Sequence, residues 1–106
     1  MKGSKMKQMN QRDAIHYIAT RQEFRASALE GRAYNVGTGR LDSEETARYN
    51  QDLETSCFWV YSYSTPIAWY SYATGWYIVS QKFSPTTSKH QNATRRAIAE
   101  SLQGAN

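Results

Sequence analysis

Ten of the fourteen aromatic side chains in this chain lie between residues 57 and 83, and their arrangement is typical of β-strands. Residues 58–64 alternate two sets of side chains that face opposite sides of a strand, and aromatic and β-branched residues favour that conformation. Pro66 cannot donate a hydrogen bond to a sheet, so we expect it at a strand start or an edge. The pattern predicts three antiparallel strands, at residues 58–64, 67–72 and 76–83, with a tight turn at 73–75.

Aliphatic residues are scarce, so the aromatic rings must provide much of the hydrophobic core. Leu, Ile, Val and Phe together make up 15 of the 106 residues. Each aromatic ring removes roughly 150–250 Å² from water, which compensates for the missing aliphatic side chains. The formal net charge of +4 is too small to oppose collapse. We expect one folded domain over residues 11–106, preceded by a flexible basic tail at residues 1–10 that carries Lys2, Lys5 and Lys7.

Two helices are predicted before the aromatic segment. An apolar stripe at helical spacing predicts an N-terminal helix over residues 11–30, which ends at Gly31. Asp42 or Ser43 is suited to cap a short middle helix at residues 43–53, because a short oxygen-bearing side chain accepts hydrogen bonds from the free N–H groups at a helix start.

A third helix is predicted after the aromatic segment. Ser88 and Gln91 have the spacing of a capping box, which marks a helix start. The fold class is therefore α+β: a three-stranded antiparallel aromatic-rich sheet with an N-terminal helix, a short middle helix and a C-terminal helix.

The charges are unevenly distributed along the chain. Residues 1–40 carry eight basic and three acidic side chains, residues 41–56 one basic and five acidic, and residues 57–106 four basic and one acidic. A sequence pI near 9.3 is compatible with a polyanionic partner, although a charge of this size is also ordinary for a soluble domain.

Residues that carry catalytic or metal chemistry are few. Cys57 is the single cysteine, which excludes an internal disulfide, and beside Phe58 and Trp59 we expect it to be buried. His16 and His90 are the two histidines, and neither has a carboxylate at a metal-motif spacing. The sequence predicts no metal site, no cofactor and no catalytic residues. It also lacks an apolar stretch typical of a signal peptide or a membrane span, so we expect no membrane partner.

A polar run at residues 86–91 is the first candidate binding site. Hydroxyls, a lysine and a histidine at a helix start suit a phosphate or carboxylate, because free N–H groups and the helix dipole favour anions there. The alternative is an ordinary helix cap with a histidine at the edge of the core. The candidate anion-binding residues are Thr87, Ser88, Lys89, His90, Arg95 and Arg96.

The aromatic sheet is the second candidate. Alternation along a strand sends neighbouring rings to opposite faces, so some rings should stay partly exposed. Exposed Tyr and Trp side chains stack on bases or anchor a protein partner. The alternative is that a helix covers the second face and all the rings are structural. The candidate surface residues are Tyr61, Tyr63, Trp69 and Trp76.

Two segments, YSYSTPIAW at residues 61–69 and TTSKHQ at residues 86–91, resemble a domain of unknown function found in small proteins of tailed phages, mainly those that infect actinobacteria. The resemblance covers residues 59–91. Ser64 departs from it, since many relatives carry Gly there. The resemblance implies a phage or prophage origin and a place in the host bacterial cytoplasm, and it implies no activity. It also suggests that side chains of the helix start hydrogen-bond strand backbone near Thr65 and Pro66.

Together these observations predict a non-enzymatic phage accessory protein that binds a host protein or nucleic acid during infection. The alternative is a small-ligand or phosphate-binding protein, or an enzyme, centred on the helix start at residues 86–91.

Overall fold

The computed structural model describes residues 9–104, with side chains at all of these positions except Gln11 and residues 102–104. In chain order, its helices and strands are α1 (Gln11–Ala19), β1 (Phe24–Ala26), β2 (Leu29–Arg32), α2 (Ser43–Asp52), β3 (Ser56–Ser62), β4 (Thr65–Ser71), β5 (Gly75–Ile78) and α3 (Pro85–Gly104). A short 3₁₀ turn, Leu53–Thr55, joins α2 to β3. Most of the predicted basic tail lies outside the described residues.

The five strands form one antiparallel sheet in which neighbours in sequence are neighbours in space, in the order β1-β2-β3-β4-β5. The α+β class, the three helices and the antiparallel sheet are therefore confirmed within the described residues. The predicted number of three strands is wrong, because an unpredicted hairpin of β1 and β2 extends the sheet.

The predicted helix over residues 11–30 is wrong beyond Ala19, where α1 ends. Arg21 and Ser27 have φ angles of 54° and 56°, which turn the chain sharply before β1 and again between β1 and β2. A helix cannot continue through such left-handed positions.

The apolar spacing that predicted a helix through residue 30 also fits one face of the β1–β2 hairpin. Phe24 pairs with Gly31 across the two strands, and Ala26 pairs with Leu29, so buried residues recur at intervals that also suit a helix. Gly31 does not end a helix. A Cβ atom there would lie 2.5 Å from Phe24 Cε1 and 2.7 Å from Phe58 Cζ, so the glycine makes space for two rings.

The start of α3 also differs from the prediction. The Thr87 N–H donates to Ser84 Oγ at 3.2 Å, and Pro85 occupies the first helical position, where its missing N–H costs little. Ser88 therefore lies inside the helix and is not its cap. Gln91 donates to the carbonyls of Val79 and Gln81 at 2.9 and 3.1 Å, which ties α3 to the segment after β5.

The middle helix is confirmed: the Glu45 N–H donates to Asp42 Oδ1 at 2.9 Å at the start of α2. The sheet is covered on both faces. Phe58, Val60 and Ala97 belong to a core cluster that includes residues of α1 and α3. A second cluster, beneath α2, consists of Tyr49, Trp59, Tyr61, Trp69 and Val79.

Buried carboxylates hold α2 on its side of the sheet. Trp69 Nε1 and Arg48 Nε both donate to Asp52 Oδ2 at 2.8 Å. The Tyr77 hydroxyl donates to Glu45 Oε1 at 2.6 Å, and burial together with this hydrogen bond raises the pKa of Tyr77 to about 12. These acidic side chains are structural, since the described residues supply their partners.

Candidate functional site

Of the four predicted surface aromatics, the structure exposes one. Tyr61 and Trp69 are 1% and 0% exposed, because α2 and its flanking loop cover their face of the sheet. Burial raises the pKa of Tyr61 well above its ordinary value, and its hydroxyl accepts a hydrogen bond from the Val36 N–H at 2.6 Å. Trp76 is half-buried and packs edge-on against Phe58. Tyr63, by contrast, is 59% exposed.

Tyr63 and Ser64 form the two-residue turn between β3 and β4. Their φ angles of 51° and 68° are both left-handed. Tight hairpins require this geometry, and Asn-Gly or similar pairs usually supply it. Two side-chain-bearing residues of other types store backbone strain at the tip, and such strain is concentrated at functional positions. The turn therefore holds a large exposed ring in a fixed place.

The Tyr63 ring stacks on His90 of α3, with ring centroids 6.1 Å apart and planes inclined by 30°. His90 is 1% exposed, and its Nδ1 lies 2.7 Å from Ser62 Oγ. Burial lowers the pKa of His90 from its ordinary value, which favours the neutral imidazole beneath Tyr63. One face of the tyrosine ring is thus occupied by α3, and the ring's remaining surface faces solvent.

A chain of hydroxyls joins this hairpin to the start of α3. Ser62 Oγ lies 3.0 Å from Thr87 Oγ1, which in turn lies 3.4 Å from Ser84 Oγ. Side chains of the helix start do therefore contact the strand that leads into the tip. Thr87 reaches a side chain there, Ser62, and not the strand backbone that the sequence suggested.

A cavity of about 260 Å³ opens beside this network. It is lined by Arg40, Ser62, Tyr63, Thr65, Phe83, Ser84 and Thr87. Five of these seven residues carry a hydroxyl and Arg40 carries a guanidinium, so the cavity is suited to a polar or anionic group.

Arg40 is the charged residue of the cavity, and the predicted site residues did not include it; they also lacked Ser62, Thr65, Phe83 and Ser84. The Arg40 N–H donates to Thr65 Oγ1 at 3.0 Å, and Gln81 Nε2 donates to the Arg40 carbonyl at 3.1 Å. Gly39, with φ 51°, permits this approach: a Cβ atom there would lie 2.5 Å from Thr65 Oγ1 and 2.7 Å from the Ser64 carbonyl oxygen. The glycines before Arg40 were the available signal, because closely spaced glycines mark a close backbone approach.

Only some of the predicted anion-binding residues lie near the cavity. Thr87 lines the cavity and His90 lies beneath the Tyr63 ring, and both side chains are buried. Lys89 is exposed next to His90, and Ser88 is half-buried. Arg95 donates to Asn92 Oδ1 at 3.0 Å, and Arg96 lies 3.9 Å from Glu100; neither lines the cavity. The structure therefore brings Tyr63, Thr87 and His90 together. We call this place the hairpin-tip site and define it as Tyr63, Arg40 and the cavity that they line.

The remaining described residues form no metal site and no membrane span. No three His, Cys, Asp or Glu side chains among them are grouped as a metal site requires. No helix between residues 9 and 104 has the length and hydropathy needed to cross a bilayer. Cys57 is exposed, so the prediction that it is buried is wrong; it lies near the start of β3, at the opposite end of the strand from Ser62.

Comparisons with known proteins identify a family and no function. No curated protein and no solved structure matches the chain. A family model described as a family of unknown function (DUF8033) matches residues 15–101, a range that contains every strand of the sheet and all the lining residues of the cavity. The chain therefore belongs to this family of unknown function.

Proposed function

We propose that the chain is a non-enzymatic phage accessory protein that binds nucleic acid in the cytoplasm of the host bacterium, through the hairpin-tip site. The phage origin and the location rest on the resemblance of residues 59–91 to the phage family pattern. The binding role rests on the geometry of the tip.

The observation that carries the proposal is the position of Tyr63. It is a ring 59% exposed, held by a left-handed backbone and supported from below by His90. It lines the same cavity as Arg40, an exposed residue whose side chain carries a guanidinium. A rigid aromatic platform beside a cation is the combination that proteins use to stack a base while contacting its phosphate. A base offers a π-face whatever its identity, so this geometry suits binding without strong sequence preference.

The charges around α2 favour nucleic acid over a basic protein partner. A basic protein partner would dock on the acidic side chains of residues 42–54. Glu45 and Asp52 of this segment are buried and hydrogen-bonded, and Asp42 caps α2. Burial of Glu45 and Asp52 therefore makes the acidic surface smaller than the sequence suggests, with Asp42, Glu44 and Glu54 exposed.

A host protein remains the second candidate because of the loop that precedes Arg40. Tyr34 and Val36 in this loop are 52% and 55% exposed, and exposed apolar side chains anchor protein partners. Binding to a host protein that depends on Val36 and not on Tyr63 would favour this candidate.

The Ser62–His90 pair supports a binding role better than a catalytic one. A serine beside a neutral histidine at 2.7 Å has the spacing of a nucleophile and its base. Ser62 is 1% exposed, however, and although it lines the cavity its hydroxyl is already engaged with Thr87 and His90. The pair instead fixes the hairpin against α3.

The test compares two tyrosine variants in a nucleic-acid binding assay at low salt. Tyr63→Ser should weaken binding by roughly 5- to 150-fold, the value of one aromatic–base stack. Tyr72→Ser is the matched control, because Tyr72 is 70% exposed at the β4–β5 turn, at the other end of β4 from the tip. Equal losses in both variants, or no binding by the unaltered protein at low salt, would contradict the proposal.

A further inference from the structure

We infer that the hairpin-tip site takes one nucleotide of an unpaired strand, with its base on Tyr63 and its phosphate at Arg40. This inference rests on the proposed function and specifies its ligand: a single strand, and not a duplex.

The stacking geometry requires an unpaired base. The Tyr63 ring has His90 against one face, so it offers its other side to one base. Bases within a duplex are already stacked on both sides and present only their edges in the grooves. A base that lies flat on Tyr63 must therefore come from a single strand, a loop or an end.

The cavity provides a place for one phosphate. Within the described part of the chain Arg40 forms no ion pair, and the Asp42 carboxylate accepts from the Glu45 N–H at the start of α2. Arginine binds phosphate through a planar fork of N–H donors. Thr65 lines the same cavity, and its Oγ1 accepts from the Arg40 N–H, so its hydroxyl proton is a further donor.

The start of α3 adds an electrostatic potential that favours an anion. Pro85 has no N–H, and the Thr87 N–H already donates to Ser84 Oγ at 3.2 Å. The Thr86 N–H, at the first turn of α3, has no hydrogen-bond acceptor among residues 9–104. The positive end of the helix dipole favours an anion there.

The size of the site limits how many phosphates it contacts. A volume of about 260 Å³ corresponds to roughly nine water molecules at about 30 Å³ each. This space accommodates one sugar–phosphate unit. With Lys89 exposed beside the tip, about two phosphate contacts are expected, so the logarithm of the binding constant should fall with the logarithm of salt concentration with a slope near −1.4.

The experiment measures fluorescence anisotropy of the full chain with a labelled oligothymidylate and with a duplex of the same length. The single strand should bind at least about tenfold more tightly than the duplex, with the shallow salt slope given above. Arg40→Gln should weaken binding of the single strand several-fold. Arg96→Gln, which removes an equal charge from α3 away from the cavity, should leave the affinity within about twofold.

A second arm isolates the basic tail, since its lysines attract any polyanion. A full-length variant with Lys2, Lys5 and Lys7 all changed to Gln should keep the preference for single strands. Loss of that preference in this variant would overturn the inference.

The outcomes distinguish nucleic-acid binding in general from binding of a single strand at the hairpin-tip site. If neither oligonucleotide binds at low salt, the proposed function fails, and the inference fails with it. If the duplex binds as tightly as the single strand, or if Arg40→Gln and Arg96→Gln weaken binding equally, the inference fails while nucleic-acid binding stands.

Discussion

Gly39→Ala tests whether the loop before Arg40 must press against the hairpin tip. The new Cβ would lie 2.5 Å from Thr65 Oγ1 and 2.7 Å from the Ser64 carbonyl oxygen and Thr65 Cα, and two of these three atoms are backbone. Such overpacking costs about 1–3 kcal/mol. The φ of 51° adds roughly 1–2 kcal/mol for a residue with a side chain. The loop should therefore separate from the tip at a cost of about 2–5 kcal/mol.

The matched control is Gly75→Ala at the β4–β5 turn. Gly75 has φ 85°, and a Cβ atom there has nothing within 4 Å, so the substitution introduces backbone strain without a clash. It should lower the free energy of unfolding by roughly 1–2 kcal/mol and leave oligonucleotide binding unchanged.

Urea unfolding and anisotropy distinguish the two variants. For Gly39→Ala we expect the larger loss of stability and a several-fold loss of affinity, because Arg40 leaves the cavity when its N–H loses Thr65. A Gly39→Ala variant that matches Gly75→Ala in stability and the unaltered protein in affinity would refute this reasoning.

Three further substitutions test the account. Ser64→Gly should raise the free energy of unfolding by about 0.5–1 kcal/mol, because glycine adopts the φ of 68° without strain; an unchanged or lower melting temperature would argue against a strained tip. Burial lowers the pKa of His90 in the folded state, so its contribution to stability is complete above the unfolded value of 6.5 and is lost as the pH falls below it. His90→Asn should therefore reduce the fall in melting temperature on acidification, and an identical pH profile in both proteins would count against this assignment. Asp52→Ala should cost about 1–3 kcal/mol in urea unfolding, because it leaves the buried Trp69 N–H without an acceptor; a loss below about 0.5 kcal/mol, the range of ordinary surface changes, would mean that the bond contributes little.

Strands β3 and β4 and helix α2 could be predicted from the sequence because their signals are local. Alternation over residues 58–64 matches β3, which is Ser56–Ser62, to within two residues at each end. The Asp42 cap fixed the start of α2. The β1–β2 hairpin could not be predicted in the same way, since a spacing of three residues between buried Ala26 and Leu29 serves a helix face and a hairpin equally well.

The candidate site could be predicted only in part. Tyr63, Thr87 and His90 were named from local composition, and their role in binding stays a prediction. Arg40 was missed because it contacts Thr65, a residue 25 positions later in the chain, and no local pattern encodes that contact. Tyr61 and Trp69 were wrongly predicted to be exposed. They are covered by α2, and that contact depends on packing between segments that are distant in sequence.

The central claim is that nucleic acid binds at the hairpin tip, and amide chemical-shift mapping tests it most directly. Titration of the ¹⁵N-labelled full chain with an oligothymidylate should shift resonances of residues 36–40, 62–65 and 84–90, with the largest changes around Tyr63 and Arg40. Shifts centred instead on α1 and on Arg95 and Arg96, or an unchanged spectrum at low salt, would contradict it.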